Sequence, residues 1–243
     1  MIDIHSHILP GIDDGARTLD DSVAIVRDLL SQGVTDVIAT PHYVDETIYV
    51  SPKAENVVLL EQLRERLSAD GVSMNVYLGN EIYINDKIPE LLESGVLSCL
   101  GDSKYLLVEL PLNDEFQDYE SVLADLIERG YQVILAHPER YAITQEDYSL
   151  ITDLCDAGVL MQCNIGSILG KYGKAAQKLV KRLAKDKLIF TFASDIHHAS
   201  HSGFIMNARK KLLKYYDEKE LEKLLVDNPR KIITATSEGD SSN

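Results

Sequence analysis

The sequence of 243 residues has no tryptophan, four phenylalanines and three cysteines. Three cysteines are too few for a disulfide framework in a chain of this size, so we expect reduced thiols and a cytoplasmic protein. No stretch reaches the roughly 18 apolar residues that a membrane span requires, so we expect no membrane insertion. The N-terminus also lacks the basic region and apolar run of a secretory signal.

Positive charge is also scarce in this chain. It has 24 lysines and arginines against 39 aspartates and glutamates, which gives a formal net charge of −15. A protein this acidic is repelled by phosphate backbones and by anionic lipid surfaces, so we expect no nucleic-acid partner. An anionic substrate can still bind if bound cations reverse the local field.

Glycine-rich nucleotide motifs are missing, since no G-x-G-x-x-G follows the first predicted strand and no G-x-x-x-x-G-K-[ST] occurs. The chain instead alternates short β-branched runs with segments of helical period, which is typical of parallel β/α proteins. Apolar residues make up 45% of the chain, enough for one large core. The predicted strands are Ile2–His5, Asp36–Thr40, Asn75–Leu78, Tyr105–Leu110, Gln132–Ala136, Leu160–Asn164 and Leu188–Ala193.

Segments with helical period separate most of these strands. The predicted helices are Leu19–Gln32, Lys53–Ala69, Ile88–Glu93, Glu120–Glu128, Asp147–Asp156, Ala175–Lys185, Ile205–Tyr216 and Glu218–Val226, with a short apolar turn at Lys231–Thr234. Seven β/α units fit a barrel or an open doubly wound sheet, and the missing nucleotide motifs favour the barrel. We therefore predict a single α/β domain over residues 1–236, a seven-stranded β/α barrel, and a disordered polar tail at 237–243.

Residues that can bind metal stand at the carboxyl ends of six predicted strands. His5 and His7 follow the two-residue period of a strand, so both imidazoles leave it on one side. Glu109 lies in an apolar strand, where an unpaired charge is costly and a metal or an arginine would pair with it. With Asp14 from the loop after the first strand, the candidate ligands are His5, His7, Asp14, His42, Glu81, Glu109, His137, Asp195 and His197.

Nine candidate ligands are too many for one tetrahedral ion, and they suit two or three ions with bridging carboxylates. Imidazole and carboxylate without thiolate favour manganese, iron or zinc. Some members have simpler explanations, because a type I turn accounts for Asp13-Asp14-Gly15 and a turn hydrogen bond for His42. Their joint occurrence at the same strand ends nevertheless predicts a multinuclear metal site.

Several of these motifs resemble those of a known superfamily. The segments HSH, TPH, HPER and ASD-x-H look like the polymerase-and-histidinol-phosphatase (PHP) superfamily. The segments MIDIHSHILPGIDDGA, GNEIY, LLVELP, HPERY and DNPRKII resemble one branch, the bacterial manganese-dependent tyrosine phosphatases of capsule and exopolysaccharide operons. Together these segments extend from Met1 to Ile233, so the resemblance covers nearly the whole chain.

The resemblance implies a distorted seven-stranded β/α barrel of the PHP type with three divalent metal ions. Manganese is the expected ion, with iron and zinc as alternatives. By position it implies three ligand sets, of which the first two share Glu81 as a bridge. These sets are His5, His7, Glu81 and Asp195; Glu81, Glu109 and His137; and Asp14, His42 and His197. Asp13 is adjacent to Asp14 and could exchange roles with it.

The same resemblance implies a phosphomonoester hydrolase that acts as a protein-tyrosine phosphatase. Its catalytic residues would be Arg140, which binds the substrate phosphate, together with Asp14 and His42, and Asp14 could also protonate the leaving tyrosinate. The implied partner is a phosphotyrosyl protein, namely an autophosphorylating bacterial tyrosine kinase, and the implied process is control of capsular and exopolysaccharide synthesis. This chain differs from the family pattern at one position: relatives often carry an arginine where it has Ser202.

Other classes of protein share some of these sequence features. A cysteine-dependent phosphatase needs C-x5-R, and none of Cys99, Cys155 and Cys163 has an arginine six residues later, so that mechanism is excluded. An amidohydrolase also begins with H-x-H, but no predicted strand end offers the lysine that many of them use. A PHP phosphatase for a small molecule such as histidinol phosphate would share every ligand, and a metal-stabilised scaffold for a kinase also stays open.

Overall fold

The computed structural model describes residues 1–112, 118–200 and 203–234. Within these ranges nine strands form two parallel sheets, in the orders β1-β2-β4 and β3-β5-β6-β7-β8-β9. The strands are β1 (Ile2–Ser6), β2 (Asp36–Ala39), β3 (His42–Tyr43), β4 (Asn75–Leu78), β5 (Glu81–Tyr83), β6 (Tyr105–Glu109), β7 (Gln132–Ala136), β8 (Leu160–Asn164) and β9 (Ile189–Ala193).

Helices connect most of these strands. They are α1 (Leu19–Ser31), α2 (Lys53–Ala69), α3 (Ile88–Glu93), α4 (Tyr119–Glu128), α5 (Ala142–Glu146), α6 (Ser149–Asp156), α7 (Gly173–Asp186), α8 (Phe204–Leu212), α9 (Glu218–Glu222) and α10 (Asn228–Thr234). Short 3-10 helices cover Pro138–Arg140 and Ile165–Leu169, and one π-helical turn covers Lys223–Asp227. In the described ranges no helix combines the length and the apolar composition that a membrane crossing requires.

All seven predicted strands are present, and two are followed by a second short strand that the sequence did not predict. β3 follows β2 after Thr40-Pro41, where proline lacks the N–H that a strand needs, and β5 follows β4 after Gly79-Asn80. Hydrogen bonds from Gly79 N to the Ala39 carbonyl (2.8 Å) and from Glu81 N to the Pro41 carbonyl (3.1 Å) keep the chains paired across both breaks. The breaks place His42 and Glu81 side by side, as the first residues of β3 and β5.

The two sheets also meet where β1 passes the end of β9. The Asp195 N–H donates to the His5 carbonyl, and the His7 N–H donates to the Ile196 carbonyl, both at 3.0 Å. Ser6 and Ile196 form a parallel bridge at the same place. The chain segments that carry His5, His7 and Asp195 are therefore hydrogen-bonded to one another.

The strands of both sheets share a small apolar cluster, separate from the larger core between strands and helices. Its buried members are Ile2, Ile4, Ile38, Leu100, Leu107, Ile134, Ala136, Ala193 and Ile232, with Tyr77, Leu160 and Phe190 against it. Ile232 comes from α10, which the Asn228 amide anchors by donating to the Phe190 carbonyl at 2.7 Å. The candidate ligands lie beyond this cluster, at the ends of the same strands.

The C-terminal helices differ from the prediction. α8 ends at Leu212, whereas the prediction continued it to Tyr216. The predicted helix Glu218–Val226 is instead α9 followed by the π-helical turn, and α10 begins at Asn228. The predicted short apolar turn at Lys231–Thr234 is part of α10, and Pro229 lies in the first turn of that helix, where the missing N–H of proline has no partner to lose. The helix α5 was not predicted.

Some predictions fall outside the described residues. The departure at Ser202 and the tail at 237–243 are among them, as are residues 235–236 of the predicted domain.

Candidate metal centre

The structure brings all nine predicted ligands together at one end of the two sheets. They arrive from the ends of β1, β6, β7 and β9, from the first residues of β3 and β5, and from the loop after β1. Most are buried, and only Asp14, His42 and His197 have side chains more than 12% exposed, at 49%, 15% and 26%. The site is thus closed on the side of the apolar cluster and open toward these three residues.

Glu81 lies at the centre of the group. Its Oε2 is 3.1 Å from His5 Nε2 and 3.3 Å from His7 Nε2. The same Oε2 is 3.0 Å from His42 Nδ1, while Oε1 is 2.9 Å from His137 Nε2. Burial by itself would raise the pKa of Glu81, but the imidazoles of His5 and His42 hold it well below its ordinary value. Two carboxylate oxygens facing different imidazoles are the arrangement that a bridging ligand needs.

Asp195 completes the first predicted set. Its Oδ1 is 3.6 Å from His5 Nε2 and 3.5 Å from His7 Nε2. Its Oδ2 accepts hydrogen bonds from Asn164 Nδ2 (2.6 Å) and from an Arg140 nitrogen (2.9 Å). One oxygen is therefore fixed by protein donors, and the other faces the imidazoles.

The second predicted set is formed by Glu81, Glu109 and His137. His137 Nε2 is 3.5 Å from Glu109 Oε1, and His42 Nδ1 is 3.8 Å from Glu109 Oε2. Burial, together with repulsion by the Glu81 carboxylate, raises the pKa of Glu109 to about 8. Two carboxyl groups this close and this buried need a cation before both can ionise.

The third predicted set surrounds Asp14. Its Oδ1 is 3.2 Å from His197 Nε2 and 3.5 Å from His42 Nε2. The hydrogen bond to His197 lowers the pKa of Asp14 to about 2. One ligand atom from each of His7, Asp14, His42 and His197 lies within 4.8 Å of the others.

Asp13, the alternative to Asp14, points elsewhere. Its Oδ2 is 2.8 Å from His7 Nδ1 and accepts from the His42 N–H at 3.2 Å, while Oδ1 accepts from the Gly15 N–H at 2.9 Å. Its side chain is only 1% exposed. Asp13 thus orients His7 from behind and leaves Asp14 to face the cluster.

The donor set fits divalent cations. Glu81 Oε2 and His42 Nδ1 are buried, and neither has a hydrogen-bond partner among the described residues. Burial would lower the pKa of His5, but the Glu81 and Asp195 carboxylates raise it to about 9. Imidazole nitrogens and carboxylate oxygens that converge in this way, with buried atoms left unpaired, match the ligands of manganese, iron or zinc.

Two of these residues have strained backbones. His137 has φ 33° and Asp195 has φ 50°, so both lie in the left-handed region although neither is glycine. Such conformations cost about 1–3 kcal/mol each and persist where the surrounding structure enforces them. Here they turn the chain sharply at the ends of β7 and β9, which aims both side chains into the cluster.

Arg140 lies at the rim of the site. Besides its contact with Asp195, its guanidinium carbon is 4.6 Å from the centre of the Tyr172 ring. Its side chain is 23% exposed. The stacking and the ion pair restrain the guanidinium while part of it stays accessible from outside.

Sequence reasoning missed the part played by β8, which corresponds to the one predicted strand with no candidate ligand at its end. Gln162 Oε1 is 2.8 Å from His5 Nδ1, and Asn164 contacts Asp195 as described above. Both side chains are fully buried. A signal was present, because a polar residue between Met161 and Cys163 needs a partner for the same reason that Glu109 does.

Comparison with known proteins places this chain among named relatives. A family model described as capsular polysaccharide synthesis, CpsB/CapC, matches residues 1–234. The tyrosine-protein phosphatase YwqE of Bacillus subtilis (strain 168) is 34% identical over 228 residues, 94% of this chain and 89% of that protein. The putative tyrosine-protein phosphatase CapC of Staphylococcus aureus is 31% identical over 223 residues, 90% of this chain and 87% of that protein.

A solved structure is also closely similar. It is one of the crystal structures of YwqE from Bacillus subtilis and CpsB from Streptococcus pneumoniae, which are described as metal-dependent tyrosine phosphatases. It superposes with a TM-score of 0.91 at 33% identity, and the match covers 97% of this chain and 95% of that one.

Proposed function

The chain belongs to the CpsB/CapC family of capsular polysaccharide synthesis, as its motifs predicted, and on that premise we propose that it is a metal-dependent tyrosine-protein phosphatase. The observation that carries the proposal is the convergence of four imidazole nitrogens on the carboxylate of the buried Glu81. Such a cluster binds divalent cations, and an acidic protein needs cations to hold a phosphate ester.

The proposed cofactor is three divalent ions, with manganese first and iron or zinc as alternatives. The proposed ligand sets are His5, His7, Glu81 and Asp195; Glu81, Glu109 and His137; and Asp14, His42 and His197. His42 touches two of these sets, because its Nδ1 faces Glu81 and its Nε2 faces Asp14. When bound, such ions lower the pKa of water and neutralise the oxygens of a phosphate ester.

The chain's own residues bind and orient the ester. Arg140 is the proposed phosphate-binding residue, since a guanidinium has five donors and the Asp195 contact involves only one of its nitrogens. Asp14, with its pKa lowered to about 2, is ionised at neutral pH, which favours a role as ligand over a role as proton donor. The reaction does not need a strong proton donor, because the tyrosine hydroxyl has a pKa near 10 and its tyrosinate is therefore a good leaving group.

For the fold, we propose a distorted seven-stranded barrel of the PHP type over residues 1–236. In this barrel β2 with β3 and β4 with β5 each count as one strand. Two observations support it: the hydrogen bonds between the residues after β9 and those of β1, and the apolar cluster to which strands of both sheets contribute.

For the partner, we propose a phosphotyrosyl protein of the cytoplasm, namely an autophosphorylating bacterial tyrosine kinase of a polysaccharide operon. The support is the family, together with relatives named as tyrosine-protein phosphatases. The three cysteines are unpaired in the structure, as expected in a reducing compartment.

The test is phosphate release by metal-stripped protein, with and without added manganese. The substrates are a phosphotyrosyl peptide and histidinol phosphate. We expect manganese-dependent release from the peptide and little from histidinol phosphate. The reverse preference would move the function to small-molecule metabolism, and no release from either would sink the phosphatase proposal.

The matched variants are His137→Ala and His198→Ala. His137 is 1% exposed and contacts Glu81, whereas His198 is exposed and lies outside the three proposed sets. We expect His137→Ala to abolish turnover with an unchanged circular dichroism spectrum, and His198→Ala to retain it. Normal turnover by His137→Ala would refute the assignment of the second ligand set.

A further inference from the structure

We propose that Gln162 and Asn164 are positioning residues. Their side-chain amides link Asp195 to His5. We propose that this link holds the proton of His5 on Nδ1, so that Nε2 is free to bind a metal ion. The inference rests on the proposed function only in taking His5 and Asp195 as ligands.

The geometry is a continuous chain of hydrogen bonds. Asn164 Nδ2 donates to Asp195 Oδ2 at 2.6 Å. Gln162 Nε2 donates to Asn164 Oδ1 at 3.0 Å, and Gln162 Oε1 is 2.8 Å from His5 Nδ1. Asp195 is 3% exposed and the other three residues are fully buried, so water does not compete for these contacts.

The direction of every bond in this chain follows from its acidic end. An ionised carboxylate only accepts, so Asn164 must present its NH₂ group to Asp195. The Asn164 carbonyl then faces Gln162, which must answer with its own NH₂ group. Turning either amide around would place two donors or two acceptors against each other in a dry interior, at a cost of about 1–3 kcal/mol for each unmade bond.

The last step fixes the imidazole. Because the Gln162 carbonyl oxygen faces His5 Nδ1, that nitrogen must carry the proton and donate it. The lone pair of the neutral ring is then on Nε2, which lies 3.1 Å from Glu81 Oε2 and 3.6 Å from Asp195 Oδ1. A cation placed between this lone pair and the two carboxylate oxygens would be bound by all three, whereas without one the carboxylates favour a proton on Nε2.

Other contacts hold Asn164 in place. Its backbone N–H donates to Glu139 Oε1 at 2.9 Å, and the Ser167 hydroxyl donates to the same oxygen at 2.6 Å. Gln162 and Asn164 are two residues apart on β8, so their side chains share one face of the strand. β8 therefore orients candidate ligands that are carried by β1 and by the residues after β9.

The first measurement is made on the unmutated protein loaded with zinc, a diamagnetic ion that leaves the spectra of its ligands readable. Long-range ¹H–¹⁵N spectra of ¹⁵N-histidine protein report the tautomer, and the His5 signals are identified by their loss in His5→Asn. We expect the proton on Nδ1. A proton on Nε2 would overturn the proposal, whatever the variants show.

The second measurement is manganese binding to metal-free variants, which needs no substrate and so stands apart from the phosphatase assay. Gln162→Met keeps the side-chain length and removes both hydrogen bonds, and we expect about 10–100-fold weaker binding at one ion. Gln162→Glu keeps an acceptor for His5 Nδ1 but loses the donor to Asn164 Oδ1, so we expect it to bind manganese more tightly than Gln162→Met and more weakly than the parent. A merely structural glutamine would not be rescued by a buried charge.

The matched control is Gln32→Met. Gln32 is also buried, and it also bonds at both ends, donating to Asp28 and accepting from the Ile205 N–H at 2.9 Å. It lies outside the metal centre, so we expect lower thermal stability with unchanged manganese affinity. Equal manganese affinity in Gln162→Met and the parent would refute the proposal.

Discussion

The carboxylate of Glu81 contacts four histidines, so it can serve more than one metal ion. Its two oxygens lie within 2.9–3.3 Å of nitrogens from four histidines, which come from the ends of β1 and β7 and from the start of β3. Four of the predicted ligands thus face this one carboxylate. Its charge is therefore shared, and its removal should affect more than one ion.

We predict that Glu81→Gln lowers the manganese content by at least two ions per chain. The amide keeps the size of the side chain, but it lacks the negative charge and offers only one oxygen. Metal content after gel filtration is the measurement, and Glu93→Gln, at an exposed glutamate of α3 that pairs with Arg129, is the control. Full metal content in Glu81→Gln would show that this residue does not bridge.

We predict that manganese affinity rises with pH between 7 and 8.5. The pKa of His5 is raised to about 9 and that of Glu109 to about 8, so both groups carry a proton at pH 7 in the metal-free protein. A cation must displace these protons, and raising the pH removes the competition. Titrations at several pH values in matched buffers measure the effect. A constant affinity over this range would contradict the raised pKa values.

The loop between β1 and α1 is shaped by a close approach to His7. Gly15 lies against the backbone of His7, and a Cβ at this position would be 2.1 Å from the His7 carbonyl oxygen. Next to it, the Ala16 N–H donates to that same oxygen at 3.0 Å. The loop thus needs a residue without a side chain to bring Asp13 behind His7 and Asp14 to the cluster.

We predict that Gly15→Ala displaces this loop, because the added Cβ would overlap the backbone and the Cβ of His7, which cannot move aside. Manganese binding at the set of Asp14, His42 and His197 should weaken by at least 10-fold, as a titration would show. The control is Gly33→Ala, where φ is +84° and nothing lies within 4 Å of an added Cβ. That change should cost about 1–2 kcal/mol of stability and leave metal binding intact. Equal metal binding in both variants would contradict the argument.

In the whole molecule, the metal centre lies where the two sheets meet. His5 and His7 come from the three-stranded sheet, while Glu81, Glu109 and His137 come from the six-stranded one. The same place concentrates carboxylates in a chain whose net charge is already −15. Bound cations would therefore join the sheets and reduce this repulsion at once.

We predict that chelation lowers the melting temperature by about 5–10 °C for each ion that it removes. Manganese at 100 times its Kd stabilises the folded state by about 2.7 kcal/mol per site, and each kcal/mol corresponds to about 2–4 °C for a chain of this size. Calorimetry with and without a chelator measures the shift, and added manganese should reverse it. An unchanged melting temperature would show that the ions do not bind the folded chain preferentially.

The sequence by itself determined the alternation of strands and helices and which side chains are candidate ligands. Period-two and helical patterns reflect which residues must be buried, so they located all seven predicted strands and most helices. The chemistry of His5, His7, Glu109 and Asp195 could likewise be inferred, since charged or metal-binding side chains at apolar strand ends require partners. The motifs also predicted the family, and the family model that matches residues 1–234 confirms it.

Only the tertiary structure decided how these residues face one another. Asp14 faces the cluster and Asp13 lies behind His7 because the loop folds against His7, which no local pattern encodes. The role of Gln162 depends on a partner 157 positions away, His5. The pairing of β3 with β5, which sets His42 beside Glu81, likewise joins segments that are distant in sequence. Contacts between residues distant in sequence are set by the packing of whole elements, and that is where this site acquires its geometry.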